Sequence, residues 1–92
     1  MNEFIEFFTS IVDDFPMHLE IYYSKRMDWC VEVWKKGCAD EYPNSPRMDG
    51  DAVLVKVQDA TAEEAGAMAL KRLKEWLKWF APWVKIGGEG DA

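Results

Sequence analysis

The sequence predicts a single α+β domain in which a C-terminal helix covers an antiparallel three-stranded sheet. Residues 61–80 carry apolar side chains at helical spacing, whereas residues 18–25, 28–36 and 52–58 alternate apolar and polar side chains as strands do. A chain of 92 residues with 49% hydrophobic content is large enough for one hydrophobic core. Together with a helix at the start of the chain, these segments give the predicted order α-β-β-β-α.

The helix predicted over residues 61–80 has the clearest start signal. Thr61 can accept a hydrogen bond from a free backbone N–H group, and Glu64, three residues later, completes a capping box. Acidic side chains at the start and lysines near the end match the direction of the helix dipole. Pro82 disfavours helical geometry in the residue before it, so we expect the helix to end near Phe80.

Residues 2–14 form the other predicted helix, with Asn2 as a candidate N-cap and Pro16 closing the segment. Its apolar residues follow the i, i+3, i+4 spacing of one helix face: Phe4, Phe7, Phe8, Ile11, Val12 and Phe15. Two interpretations are open. The helix either covers one side of the sheet or docks into the groove of a partner, and we favour the first.

The three alternating runs define the predicted sheet. Residues 18–25 and 28–36 are joined by a short turn and should form an antiparallel hairpin. In the third run, Val53, Val55 and Val57 are expected to face the C-terminal helix, while Leu54, Lys56 and Gln58 face away. The opposite sheet face would carry Tyr22, Trp34 and Leu54. Either the first helix covers that face or it is an exposed aromatic patch that contacts another protein.

The sequence leaves two structures open for the C-terminal segment. Residues 83–86 either add a short fourth strand or form a tail anchored by one ring. In both cases the domain spans residues 1–86. Residues 87–92 are Gly-rich and acidic, and we expect them to be a flexible tail.

A long connection, residues 37–51, separates the second and third predicted strands. Long connections without structure of their own are uncommon in compact domains and are often functional. This one contains four acidic residues and a tyrosine: Asp40, Glu41, Tyr42, Asp49 and Asp51. We therefore take it as the first candidate binding element, with a plain connection as the alternative.

The charge distribution has two interpretations: an ordinary solvated surface, or an acidic surface that fits a basic groove of another protein. The net charge is −6, residues 1–20 hold five acidic residues without Lys or Arg, and residues 37–64 hold seven. Acidic groups opposite Lys and Arg of a partner would steer association, whereas affinity for phosphate backbones would be poor. A second acidic patch supplements the connection: Glu3, Glu6, Asp13 and Asp14. The competing contact is Trp34 on the open sheet face.

The sequence offers no recognisable catalytic or metal-binding set. His18 is the single histidine, and no nucleophile motif surrounds any serine. Cys30 and Cys38 lack further zinc-ligand partners and fit reduced thiols of a cytosolic protein. The segment Asp49-Gly50-Asp51 fits a tight turn better than a calcium loop. We expect no enzyme activity, no cofactor and no metal. No apolar run is long enough for a membrane span, and a cytoplasmic location is expected.

Two families share part of this pattern. The α-β-β-β-α order and the apolar rhythm of residues 62–70 resemble the double-stranded-RNA-binding domain. That family has lysines at this helix start for phosphate contacts, whereas this chain has Glu63 and Glu64. The sheet followed by a helix that opens with Thr, Ala, Glu, Glu and Ala at residues 61–65 is similar to antitoxins of the HicB type. That resemblance implies neutralisation of a small basic toxin.

A third resemblance concerns the type of protein. Small, acidic, single-domain α/β proteins without catalytic residues resemble phage-encoded inhibitors such as the anti-CRISPR proteins. That resemblance implies a partner such as a CRISPR effector complex in the cytoplasm of a host cell, and occupation of the surface with which this partner binds nucleic acid. It implies no direct binding of nucleic acid by the chain itself.

Overall fold

The computed structural model describes residues 1–24, 28–42 and 45–84. In chain order the elements are α1 (Asn2–Val12), β1 (His18–Tyr23), β2 (Trp29–Lys35), β3 (Arg47–Met48), β4 (Asp51–Asp59) and α2 (Ala62–Phe80). The strands form one antiparallel sheet in the order β1-β2-β4-β3. The predicted α+β class is confirmed, as is the order helix, strands, helix.

A fourth strand is present in the long connection, whereas residues 83–86 were the segment for which a short fourth strand was one of two interpretations. β3 has two residues and belongs to the long connection, where it pairs with the start of β4. Trp83 and Val84, the first half of the predicted short strand, lie in a turn after α2. The second half of that segment and the predicted tail of residues 87–92 lie outside the described residues.

The helix α2 begins as its sequence predicts. Thr61 is the N-cap, and its Oγ1 accepts a hydrogen bond of 3.1 Å from the backbone N–H of Glu64. The buried stripe of α2 consists of Ala65, Gly66, Ala69, Leu73, Trp76 and Leu77. It packs on β4 and β2, whose valines Val31, Val33, Val55 and Val57 are all at most 7% exposed. Burying a side chain such as Leu73 stabilises the fold by about 2 kcal/mol.

The helix α1 lies beside α2, on the same face of the sheet. Its start meets the start of α2, since a Cβ at Gly66 would come within 2.6 Å of the Met1 Cα atom. Further along, the Lys74 Nζ atom lies 5.3 Å from the centre of the Phe7 ring. Beyond its end, the rings of Phe15 and Trp76 are 5.9 Å apart. The two helices therefore run in the same direction over one face.

The apolar face of α1 contributes to the core, as the favoured interpretation predicted. Phe4, Phe8 and Ile11 are buried in one hydrophobic cluster with the residues of α2 and the sheet. Because both helices cover the same face, neither α1 nor α2 covers the opposite one. Two details differ from prediction: Met1 occupies the N-cap position that was assigned to Asn2, and the helix ends at Val12.

A β-bulge in β4 changes which side chains face the helices. Val33 pairs with Val55, but its neighbour Trp34 pairs with Val53, so Leu54 is an extra residue in β4. The expectation that Val53 faces the helices and Leu54 faces away is therefore wrong. Leu54 is buried in the core, whereas Val53 is half-buried. In the described part of the chain, no helix is long and apolar enough to cross a membrane.

Candidate functional site

The described part of the long connection is a compact turn attached to the β3–β4 hairpin. The backbone N–H of Gly37 donates to the Asp51 carboxylate at 2.8 Å, and the N–H of Ala39 donates to the Gly50 carbonyl at 3.1 Å. Within the turn, the N–H of Tyr42 bonds to the Cys38 carbonyl at 3.2 Å. Asp51 is half-buried, and the hydrogen bond that it accepts from Gly37 holds the turn in place.

Asp49 and Gly50 form the tight turn between β3 and β4. Both have a positive φ, 49° and 87°, which is the backbone geometry of a two-residue hairpin loop. Asparagine, aspartate and glycine adopt that geometry with least strain. The carboxylate of Asp49 is exposed at the tip of this hairpin.

Tyr42 is a core residue and not an exposed partner contact. Its side chain is 8% exposed and its ring lies 5.0 Å from Trp76 and 6.5 Å from Phe15. Burial is the main cause that raises the pKa of the Tyr42 phenol above its ordinary value of 10.0. Next to it, the Trp76 indole N–H donates to the buried Ser45 hydroxyl at 3.0 Å. The acidic neighbours of Tyr42 concealed this role in the sequence.

The contact between Phe15 and Tyr42 brings two predicted acidic segments together. Phe15 directly follows Asp13 and Asp14, and Tyr42 directly follows Asp40 and Glu41. All four acidic side chains are exposed. We call these four residues the acidic end. Lys35 lies nearby, with its Nζ atom 4.7 Å from the centre of the Phe15 ring and 3.0 Å from the Pro16 carbonyl.

The residues of the predicted second acidic patch lie along α1 and directly after its end. Asp13 and Asp14 belong to the acidic end, whereas Glu3 and Glu6 lie on the first two turns of α1. Glu3 lines a cleft with Glu63 and Gly66 at the start of α2. Glu3 therefore lies at the end of α1 that is away from Asp13 and Asp14.

The outer face of the sheet, the one turned away from the helices, carries the remaining candidate, Trp34. Its ring stacks on His18 at 4.1 Å between ring centres. On the same face, the Tyr22 hydroxyl donates to the Glu32 carboxylate at 3.1 Å. This hydrogen bond is the first cause that raises the Tyr22 pKa to about 12. Tyr22 is 42% exposed, and no described helix covers this face.

The described residues do not assemble a metal site. No three His, Cys, Asp or Glu side chains among residues 1–24, 28–42 and 45–84 are placed to hold one ion. Cys30 is a buried free thiol on β2, and the thiol of Cys38 donates to the Lys36 carbonyl at 3.2 Å. Comparison with known proteins adds no assignment, because no protein-family model, curated protein or solved structure matches this chain.

Proposed function

We propose that the protein is a small non-enzymatic inhibitor that binds a basic, nucleic-acid-binding surface of a protein complex, in the manner of anti-CRISPR proteins. The observation that best supports this proposal is the acidic end. Asp13, Asp14, Asp40 and Glu41 come from distant parts of the sequence, and their exposed side chains adjoin Phe15 and Tyr42, whose rings are 6.5 Å apart.

The acidic end is suited to compete with phosphates for Lys and Arg side chains. Exposed carboxylates steer a basic partner into an encounter and favour one orientation of binding. The turn that carries Asp40 and Glu41 is held by backbone hydrogen bonds and by the buried ring of Tyr42. The carboxylates of Asp40 and Glu41 are therefore presented on a rigid support, which limits the entropy lost on binding.

The overall charge supports a protein partner with a basic surface. At a net charge of −6 the chain repels phosphate backbones, and long-range attraction favours a cationic partner. A CRISPR effector complex in the cytoplasm of a bacterial host fits this description, with the chain as a phage product. Trp34 and Tyr22 on the outer face form the competing contact surface, and binding there would depend little on salt.

The test uses purified CRISPR effector complexes of several types and labelled target DNA. We expect the protein to prevent the mobility shift of the DNA for one of these complexes, with inhibition that weakens as salt is added. Charge reversal in Asp40→Lys/Glu41→Lys should abolish inhibition. The matched control, Glu3→Lys/Glu6→Lys, makes the same change in net charge away from the acidic end and should retain it.

Two outcomes would contradict the proposal. If none of the complexes is inhibited, the proposed partner class is wrong. If inhibition occurs but Asp40→Lys/Glu41→Lys inhibits as well as the unmodified protein, the acidic end does not carry the binding. A loss caused by Trp34→Ala alone would assign binding to the outer face instead.

A further inference from the structure

Among the residues that the structure describes, no strand pairs with most of the outer edge of β4, the edge away from β2. β3 pairs only with Asp51 and Ala52, and the N–H of Val53 donates to the Pro46 carbonyl at 2.9 Å. Beyond this point, no described strand lies against residues 54–59 on that side. Six residues of extended chain are roughly 20 Å long. The edge is therefore long enough to accept another strand.

The register of the sheet identifies the backbone groups that this edge offers. The N–H of Ser24 donates to the Asp28 carbonyl at 2.7 Å, so Asp28 directs its backbone groups toward β1. In an antiparallel sheet alternate residues point to opposite neighbours. Val31 and Val33 lie an odd number of residues after Asp28. Their backbone N–H and C=O groups therefore point toward β4.

The same alternation continues into β4. Val57 and Val55 are the partners of Val31 and Val33, so their N–H and C=O groups point toward β2. The intervening Lys56, and Gln58 beyond Val57, must point the other way. Their backbone donors and acceptors thus face the open edge, and unpaired edge groups are a template for a further strand.

A groove adjoins this edge. It has a volume of about 490 Å³ and lies between residues 53–56 of β4 and the side chains of Arg72, Glu75, Trp76 and Trp79 on α2. The indole of Trp79 is 75% exposed, although it is one of the largest apolar side chains of the protein. A side chain projecting from an added strand toward the helices would enter this groove.

The charge around the groove differs from that of the whole chain. Its lining includes the cations Arg47, Lys56 and Arg72 against the acids Glu32 and Glu75. The chain as a whole has an excess of acids and a net charge of −6. The groove therefore lacks the acidic excess of the whole chain, and Lys56 and Arg72 can accept acidic side chains of an occupant there.

We propose that the outer edge of β4 binds an extended peptide segment of another protein as an added strand. The backbone of the peptide pairs with Lys56 and Gln58. One large apolar side chain of the peptide packs in the groove against Trp79, and the neighbouring acidic side chains point to the outer face near Lys56. In strand addition the main-chain bonds provide affinity and the pocket provides specificity. This surface is separate from the acidic end, so the proposal goes beyond the proposed function.

A second copy of the chain is a poorer occupant of this edge. Two-fold pairing places the same surface on both sides of the interface, so the cations Lys56 and Arg72 of one copy would approach those of the other. Lysine on an edge strand is also a common protection against edge-to-edge association. An acidic, apolar peptide has neither disadvantage.

Amide hydrogen exchange measured by NMR tests the edge itself. In the free protein, the N–H groups of Lys56 and Gln58 should exchange at least about tenfold faster than those of Val55 and Val57, which are bonded to β2. Slow exchange at Lys56 and Gln58 in the free protein would overturn the proposal, because it would mean that the edge is already paired.

A capped eight-residue peptide tests which side chains the occupant needs. Glutamate and valine alternate in this peptide, and one central valine is replaced by tryptophan. Titration should protect the Lys56 and Gln58 amides, and replacing the glutamates by lysine should weaken binding about tenfold. Two further peptides carry methyl groups on one or the other set of alternate backbone nitrogens. Only methylation of the nitrogens that face β4 should abolish binding. Equal binding by both methylated peptides would exclude strand addition.

Two variants of Lys56 separate the contribution of its backbone N–H to peptide binding from that of its side-chain charge. Lys56→Ala should weaken peptide binding only about two- to threefold, because exposed ion pairs contribute little. Lys56→Pro removes the N–H that faces the edge and should weaken it by about tenfold or more. Equal affinities for the two variants would contradict the proposal. If Lys56→Pro does not fold, the methylated peptides decide with the unmodified protein. A dimer in sedimentation that Lys56→Ala strengthens would identify a second copy as the occupant.

Discussion

The two faces of the sheet are built from the same strands but have different surroundings. On the inner face, Val31, Val33 and Val55 are at most 2% exposed beneath α1 and α2. On the outer face, Tyr22 is 42% exposed and Lys56 is exposed as well. No described helix lies over the outer face.

This difference shows that alternation along a strand does not determine burial by itself. Period two separates side chains into two sets, but the placement of the helices decides which set is covered. Here both helices lie on one side, so stability should be concentrated on the inner face. The outer face contributes little and is available for contacts. Substitutions on the two faces test this inference.

The largest effect is expected on the inner face. Leu73 is fully buried between α2 and the sheet, so Leu73→Ala should lower the free energy of unfolding by about 2–5 kcal/mol. Urea denaturation monitored by circular dichroism measures the change. Lys71→Ala on the exposed side of the same helix is the control and should change stability by less than about 0.5 kcal/mol. A comparably small loss for Leu73→Ala would mean that α2 does not cover this face.

A smaller effect is expected for an aromatic residue on the outer face. Trp34 is half-buried and its main described contact is the ring of His18, 4.1 Å away. Trp34→Ala should cost about 2 kcal/mol, the sum of one aromatic pair and the half-buried area of the ring. The same urea experiment checks this value. A loss above about 3 kcal/mol, the usual range for a tryptophan in a core, would show that the outer face is covered.

The smallest effect is a pH dependence of protein stability that arises from a hydrogen bond on the outer face. The hydrogen bond from Tyr22 to Glu32 raises the Tyr22 pKa from 10.0 to about 12. Because the folded-state pKa is the higher one, this contribution to stability is complete below pH 10 and is lost as the pH rises to 12. Carbon-13 NMR of the labelled Tyr22 ring should show the raised pKa, and Glu32→Gln should lower it. An unchanged titration in that variant would exclude Glu32 as the cause.

The sequence was sufficient for elements whose signals are local. The Thr61 cap and the apolar stripe predicted α2, and alternation with a short turn predicted the pairing of β1 with β2. The face covered by α1 was not predictable, because an amphipathic helix indicates a buried side without identifying what it packs on. A strand as short as β3 has no periodic pattern to detect.

Two errors arose from packing that the sequence does not display. The bulge at Leu54 inserts one residue without interrupting the run of apolar side chains, so the run was assigned to one continuous alternation. Tyr42 follows Asp40 and Glu41 and was assigned to the surface, but its ring fills the space between Phe15 and Trp76. Within the candidate site, the acidic residues were recognised from charge, whereas the open edge of β4 depends on pairing that only the structure provides.

Tyr42 and Ser45 are anchored in the core, and this anchoring restricts the motion of the turn that carries Asp40 and Glu41. Both residues are buried, and Ser45 is bonded to Trp76 in the last turns of α2. Releasing the turn therefore requires the opening of part of the core, which makes its detachment a rare event of local unfolding and not a rapid loop fluctuation. A complex formed through this turn should therefore dissociate slowly. A substitution that weakens the core at Trp76 should shorten the lifetime of the complex even where the protein stays folded.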